Sequence, residues 1–305
     1  MRIGLSGGAA TVDRMIEQAV EAEEDGFSSL WYASAIGGDP LVAMALAGRA
    51  TRHIELGTSV LQTYTCHPVL QANRAASVVA AMGRGGLTLG IGPSHQPVIE
   101  DALGLSYAHP GRHTEEYARV LACLLRGEQV DVDGPELAVH SGARAVKPDS
   151  AVPVLIAALG PRLLRVAGEL VDGTITWMAN ARAIGDHVAP RIRAAASLAG
   201  RAAPRIVAGL PVAVHDDVAA ARSVAAEMFA GYGTLPNYRR VLDIGEATGP
   251  AEAAIVGDEA SVTAQISALF DAGATDLWAA TFPVGNDRKG SRERARALLR
   301  DLATT

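Results

Sequence analysis

Along this chain, short apolar runs alternate with longer stretches in which apolar residues recur at helical spacing. Runs over residues 3–6, 29–33, 54–59, 87–91, 152–157, 173–177, 205–214 and 276–280 read as strands. They are rich in apolar and small residues, as strands buried on both faces of a parallel sheet must be. The intervening stretches predict helices over 11–25, 40–51, 69–82, 112–125, 161–170, 181–199, 218–229, 259–272 and 288–302. In the first helix Ile16, Ala19, Val20 and Ala22 recur at helical spacing, Thr11 stands at the N-cap and Gly26 closes the end. Pro40 opens the second, where a missing N–H is no loss.

Two segments break the alternation. Within 127–140, the run Val130-Asp131-Val132-Asp133-Gly134-Pro135-Glu136-Leu137 predicts a short hairpin with an Asp-Gly turn. A mostly helical insertion is expected over about 232–254, and the long stretches 61–67, 103–111 and 232–249 are expected to shape a substrate pocket. Eight strand–helix units in 305 residues match a (β/α)8 TIM barrel. The expectation is one α/β domain over 1–305, with rim insertions near 127–145 and 232–254. A doubly wound open sheet is the competing topology, because a sequence does not display closure.

Composition narrows the function classes. The net charge is -6 with 49% hydrophobic residues, which gives no electrostatic footprint for nucleic acid or an anionic membrane. No run of about 18 apolar residues suggests a membrane span. The start, Met1-Arg2-Ile3-Gly4-Leu5-Ser6, reads as a core strand and not a signal peptide. A cytoplasmic protein with a small-molecule substrate is therefore expected, and Cys66 and Cys123 are expected as reduced thiols.

Ligands bind such folds at the C-terminal strand ends, so the strand exits carry the chemistry. Gly57-Thr58-Ser59-Val60 ends the third strand, ahead of a loop over 61–68 that holds Tyr64 and His67. Gly90-Ile91-Gly92-Pro93-Ser94-His95-Gln96 ends the fourth; its lone Gly-x-Gly lacks the full dinucleotide fingerprint. Ala157-Ala158-Leu159-Gly160-Pro161 leads from the fifth strand into a helix whose free N–H groups suit an anion. Arg162 and Arg165 follow on that helix and either is placed to assist a phosphate. Thr176-Trp177-Met178 ends the sixth strand. Neither zinc-ligand spacing nor a Gly-x-Ser-x-Gly elbow is present. Asp131 and Asp133 sit in the hairpin, where a turn role is expected. A bound cofactor that carries the chemistry fits best.

With these motifs, and with Ala167-Gly168 and Asp172-Gly173, the chain resembles the luciferase-like monooxygenase superfamily, and within it the oxidoreductases that use the deazaflavin coenzyme F420. The resemblance implies a TIM barrel with the cofactor at the strand C-terminal ends. It implies a cofactor set of Gly57, Thr58, Ser59, Val60, His95, Gln96, Ala157, Ala158, Leu159, Gly160, Trp177 and Met178. Ser59-Val60 would be a non-prolyl cis peptide behind the ring, and Ala157 to Gly160 would hold the phosphate region. Related sugar-phosphate dehydrogenases carry an Asp-His pair after the second strand and a glutamate after the Gly-x-Gly turn; here Ser34-Ala35 and Pro93 stand there. The implied activity is hydride transfer from reduced F420 to an activated C=C or C=N bond, with Tyr64, His67, His95 or water as proton donor. The alternatives are an FMN-dependent monooxygenase using O₂ and a non-catalytic flavin-binding barrel. Dimers are common among such proteins, so a homodimer is the expectation by analogy.

Overall fold

The computed structural model describes residues 1–33 and 38–304. Ser34 and Ala35, which stand where an Asp-His pair is lacking, lie outside the described residues. Eight parallel strands pair in chain order: β1 (Ile3–Gly7), β2 (Ser29–Tyr32), β3 (Glu55–Thr58), β4 (Leu87–Gly92), β5 (Val154–Ile156), β6 (Gly173–Trp177), β7 (Arg205–Val214) and β8 (Asp276–Thr281). β8 returns to β1, with Ile3 opposite Leu277. That pairing closes the barrel and removes the open sheet from consideration.

Around it run α1 (Val12–Glu24), α2 (Pro40–Ala50), α3 (Pro68–Met82), α4 (Pro110–Leu125), α5 (Pro161–Leu170), α6 (Ala189–Leu198), α7 (Val218–Met228), α8 (Pro236–Ile244), α9 (Glu259–Asp271) and α10 (Arg288–Thr304). Thr11 caps α1 by accepting from the Arg14 N–H at 3.3 Å, and Asp39 caps α2 through the Leu41 N–H at 3.0 Å. Strand and helix side chains form one extended core between barrel and helices, including Ile3, Leu30, Met44, Leu89 and Tyr117.

Local departures from the sequence reading are confined to short segments. The helix expected over 181–199 is a turn at Ala181–Ala183, a π-helical turn at Ile184–Val188 and then α6; Pro190 has no N–H to donate to residue 186, and the wider turn absorbs the gap. A second π-helical turn, Pro97–Ala102, occupies the connection after β4. The hairpin pairs Asp131–Asp133 with Ala138–His140 through a four-residue loop closed by Gly134 N–H to Leu137 O at 2.9 Å. Ile255–Gly257, to which the sequence assigns no element between the insertion and the helix over 259–272, is a three-residue strand on the end of β7, with Val212 opposite Ile255. Three residues are too few to show a period.

A second, smaller core fills the barrel itself: Trp31, Leu155, Ile175, Val207 and Trp278. Glycines on neighbouring strands make room for the two indoles. A Cβ on Gly57 would lie 2.2 Å from the Trp31 ring, and one on Gly209 would lie 2.1 Å from Trp278. Below them, at the N-terminal strand ends, Arg205 bonds Glu55 at 2.6 and 2.9 Å and Asp276 at 2.6 and 3.0 Å. Arg2 adds bonds to the same two carboxylates. This closes the base of the barrel and leaves its other end to the site.

No helix among the described residues is long and apolar enough to cross a membrane. Both cysteines are free.

Candidate functional site

At the C-terminal strand ends lies a cavity of about 360 Å³. Its floor is the tryptophan pair: Trp177 stacks on Trp278 with ring centroids 4.9 Å apart and 25° between planes. Ser59 and Val60, just past β3, form one side, and their peptide bond is cis. Pro93, Ser94 and His95 continue from β4, and Ala157, Leu159 and Gly160 from β5. Thr176 comes from β6. The insertion then reaches over the mouth, where α8 supplies Asn237, Tyr238 and Arg240.

Several polar atoms here have no protein partner. The hydroxyls of Ser59 and Thr176 are buried without a hydrogen bond. A buried unpaired group costs about 1–3 kcal/mol, so both are poised for a bound molecule. Helix α5 begins at Gly160 with no side-chain cap, which leaves its first N–H groups and the positive end of its dipole facing the cavity. Arg240 lies nearby: a Cβ on Gly160 would sit 3.9 Å from its Nη1. Arg162 also lines the cavity but is held by Glu115 at 2.9 and 3.1 Å, and Arg165 pairs with Glu115 and Glu169. Among the described residues Arg240 has no carboxylate partner. His187 braces the turn from behind, its Nε2 donating to Leu159 O at 2.8 Å.

Burial sets the protonation states. It pulls the His95 and His187 imidazoles down from their ordinary range, which favours the neutral forms. It pushes the Tyr107 phenol up to about 12, and that hydroxyl donates to Ser94 O at 2.8 Å.

The sequence-predicted residues divide into three groups. Ser59, Val60, His95, Ala157, Leu159, Gly160 and Trp177 share the cavity wall. Gly57, Thr58, Ala158 and Met178 are packed out of contact with it; Thr58 donates to Gly90 O at 2.8 Å, and Met178 packs with Leu242 and Ala253. Gln96, Tyr64 and His67 are outside the lining altogether. Gln96 is exposed and bonds Glu100 at 2.6 Å. Tyr64 stacks on His113 with centroids 4.0 Å apart. His67 is the exposed N-cap of α3, accepting from the Val69 N–H at 3.3 Å. Asp131 and Asp133 flank His140 on the exposed hairpin, and the described residues hold no group suited to a metal ion.

Sequence reasoning missed Tyr107, Asn237, Tyr238, Arg240 and Trp278. Trp278 had a signal, as an indole in the middle of a barrel strand. Tyr107 and the α8 residues lie in stretches, 103–111 and 232–249, expected to shape the pocket, but nothing in the sequence singles out which of their side chains reach it.

The family model described as luciferase-like monooxygenase matches residues 1–305. The chain is 32% identical over 155 residues to a 5,10-methylenetetrahydromethanopterin reductase of Methanolobus tindarius, a match over 50% of this chain and 47% of that one. It is 33% identical over 177 residues to an F420-dependent glucose-6-phosphate dehydrogenase of Beutenbergia cavernae, covering 53% and 51%. Both matches thus span about half the relative's length. The solved coenzyme F420-dependent tetrahydromethanopterin reductase of Methanopyrus kandleri superposes with a TM-score of 0.75 at 22% identity, covering 98% of this chain and 97% of that one. At that identity the superposition establishes the shared barrel.

Proposed function

The chain belongs to the luciferase-like monooxygenase family, and we propose that it is an F420-dependent oxidoreductase that reduces an activated C=C or C=N bond of a small molecule. The observation that carries this reading is the pairing of an aromatic-floored cavity with an anion site on one wall. The uncapped α5 N-terminus and the unpaired Arg240 suit a phosphate. The tryptophan floor and the small residues Ala157 and Gly160 suit a flat ring beside it. Two relatives that match half of this chain are an F420-dependent dehydrogenase and a reductase, which agrees with a deazaflavin.

When bound, F420 would supply the hydride. The chain's own residues hold and orient. Val60, Ala157 and Trp177 bound the ring compartment, while Ser59 and Thr176 offer it hydroxyls that nothing else uses. Gly160, the first turn of α5 and Arg240 hold the phosphate. Gly57, Thr58, Ala158 and Met178 shape this wall from behind, and His95 stays at the mouth as a neutral imidazole. Reduction is favoured over sugar oxidation because the described lining residues include no carboxylate base, with Pro93 after the Gly-x-Gly turn.

The test is oxidation of reduced F420 under strictly anaerobic conditions, with cyclohexenone as acceptor. Enzyme-dependent loss of reduced F420 without O₂ is the expected result. A requirement for O₂ and reduced FMN would replace this reading with a monooxygenase.

A further inference from the structure

The cavity lining has an unusual charge balance. Among the described lining residues there are two arginines and neither aspartate nor glutamate. Glu115 neutralises Arg162 from outside the cavity, and among the described residues no carboxylate pairs with Arg240. The site therefore repels a cation, gives it no counter-ion, and attracts negative charge wherever it develops.

Two phenols line this space and they differ. The Tyr107 hydroxyl is committed to Ser94 O. The Tyr238 hydroxyl has no hydrogen-bond partner among the described residues, although its ring is fixed edge-on to Tyr232 with centroids 4.9 Å apart. It also lies against His95, centroids 5.5 Å apart. A rigidly held phenol with a free O–H, on the helix that also carries Arg240, is a preorganised donor.

We propose that Tyr238 is a catalytic residue that binds and protonates the oxygen anion formed on a neutral conjugated carbonyl acceptor, such as an enone or quinone, and that cationic iminium substrates are excluded. The proposal rests on the F420 reading and deepens it. In balance, an enone that gains a hydride at its β carbon shifts its π pairs onto the carbonyl oxygen. That oxygen takes the proton as the Tyr238 O–H bond breaks, and the resulting phenolate recovers a proton from water. Net, one hydride and one proton add to the acceptor. Burial raises the Tyr238 phenol well above its ordinary range, so it enters the reaction protonated. His95, driven toward neutrality, holds no competing proton to give at neutral pH.

The experiment uses 4-nitrophenolate, a coloured anion whose charge sits on oxygen as an enolate's does. It is titrated into wild type and Tyr238→Phe, each with and without F420, and the F420 affinity of both proteins is measured alongside. The substitution removes only a hydroxyl that the fold does not use. The expected result is nitrophenolate binding weakened about tenfold in Tyr238→Phe, the scale of a charge-assisted hydrogen bond, with F420 affinity unchanged. Equal nitrophenolate affinity in the two proteins, or none in wild type, overturns the proposal. Failure of F420 to bind either protein overturns the cofactor reading instead, and the comparison without F420 still decides the role of Tyr238.

Discussion

The two ends of the barrel are built from similar polar groups and treat them in opposite ways. At the N-terminal end Arg205, Arg2, Glu55 and Asp276 satisfy one another, Thr88 and Thr275 add hydrogen bonds at 2.6 Å, and the Arg205 guanidinium lies 5.7 Å from the Trp31 ring centroid. Arg205 is enclosed with both carboxylates, and the exposed Arg2 completes the set from the rim. At the C-terminal end two hydroxyls are buried unpaired, a helix begins uncapped and an arginine stands without a carboxylate. One end uses its polar groups to hold the fold. The other leaves them unused by the described fold, where a bound ligand would offset their cost in stability.

The largest expected effect breaks the closed end. Asp276→Ala leaves Arg205 and Arg2 facing a cavity without its buried carboxylate, and should cost about 3–5 kcal/mol in denaturant unfolding. F420 affinity, measured under native conditions, should change little. The network also fixes a sign for pH. Although burial opposes it, Arg205 holds the Asp276 carboxyl below its usual range, so its contribution is present above the unfolded pKa and disappears as pH falls through the folded value. Asp276→Asn should flatten that acid limb of the stability profile.

Next in size is the open end. Arg240→Ala should weaken F420 binding by about tenfold, the loss of one charged hydrogen-bond donor, while the thermal midpoint stays where it was. A fall in midpoint with affinity intact would show that Arg240 belongs to the fold, and the contrast between the ends would fail.

How far the sequence reveals this contrast depends on the range of the interactions. All eight barrel strands were legible, because strands buried on both faces leave continuous apolar runs that survive without context. The turns after β3 and β5 were legible through their small residues. The base network was not, since Glu55, Arg205 and Asp276 are single charges at strand starts, 71 and 150 positions apart. Tyr238 and Arg240 were legible only as part of the long stretch 232–249 expected to shape the pocket; which of its side chains reach the cavity is a tertiary fact. His67 shows the reverse error of emphasis. A histidine in a rim loop draws attention as a proton donor, whereas the structure uses it to cap α3.

That difference yields two smaller predictions. His67→Ala should cost about 1 kcal/mol, the usual size of a lost cap, and leave F420 affinity unchanged. Thr176→Val replaces a buried unpaired hydroxyl with a methyl, and should raise stability by up to about 1 kcal/mol while lowering F420 affinity. A variant that loses stability instead would mean the hydroxyl already serves the fold.

The most direct measurement is equilibrium titration of the purified protein with F420 and with FMN under identical conditions. The F420 reading predicts saturable binding of F420 and weaker binding of FMN, with Arg240→Ala reducing the first. Preference for FMN, or binding of neither, would contradict the assignment of the C-terminal end as a deazaflavin site.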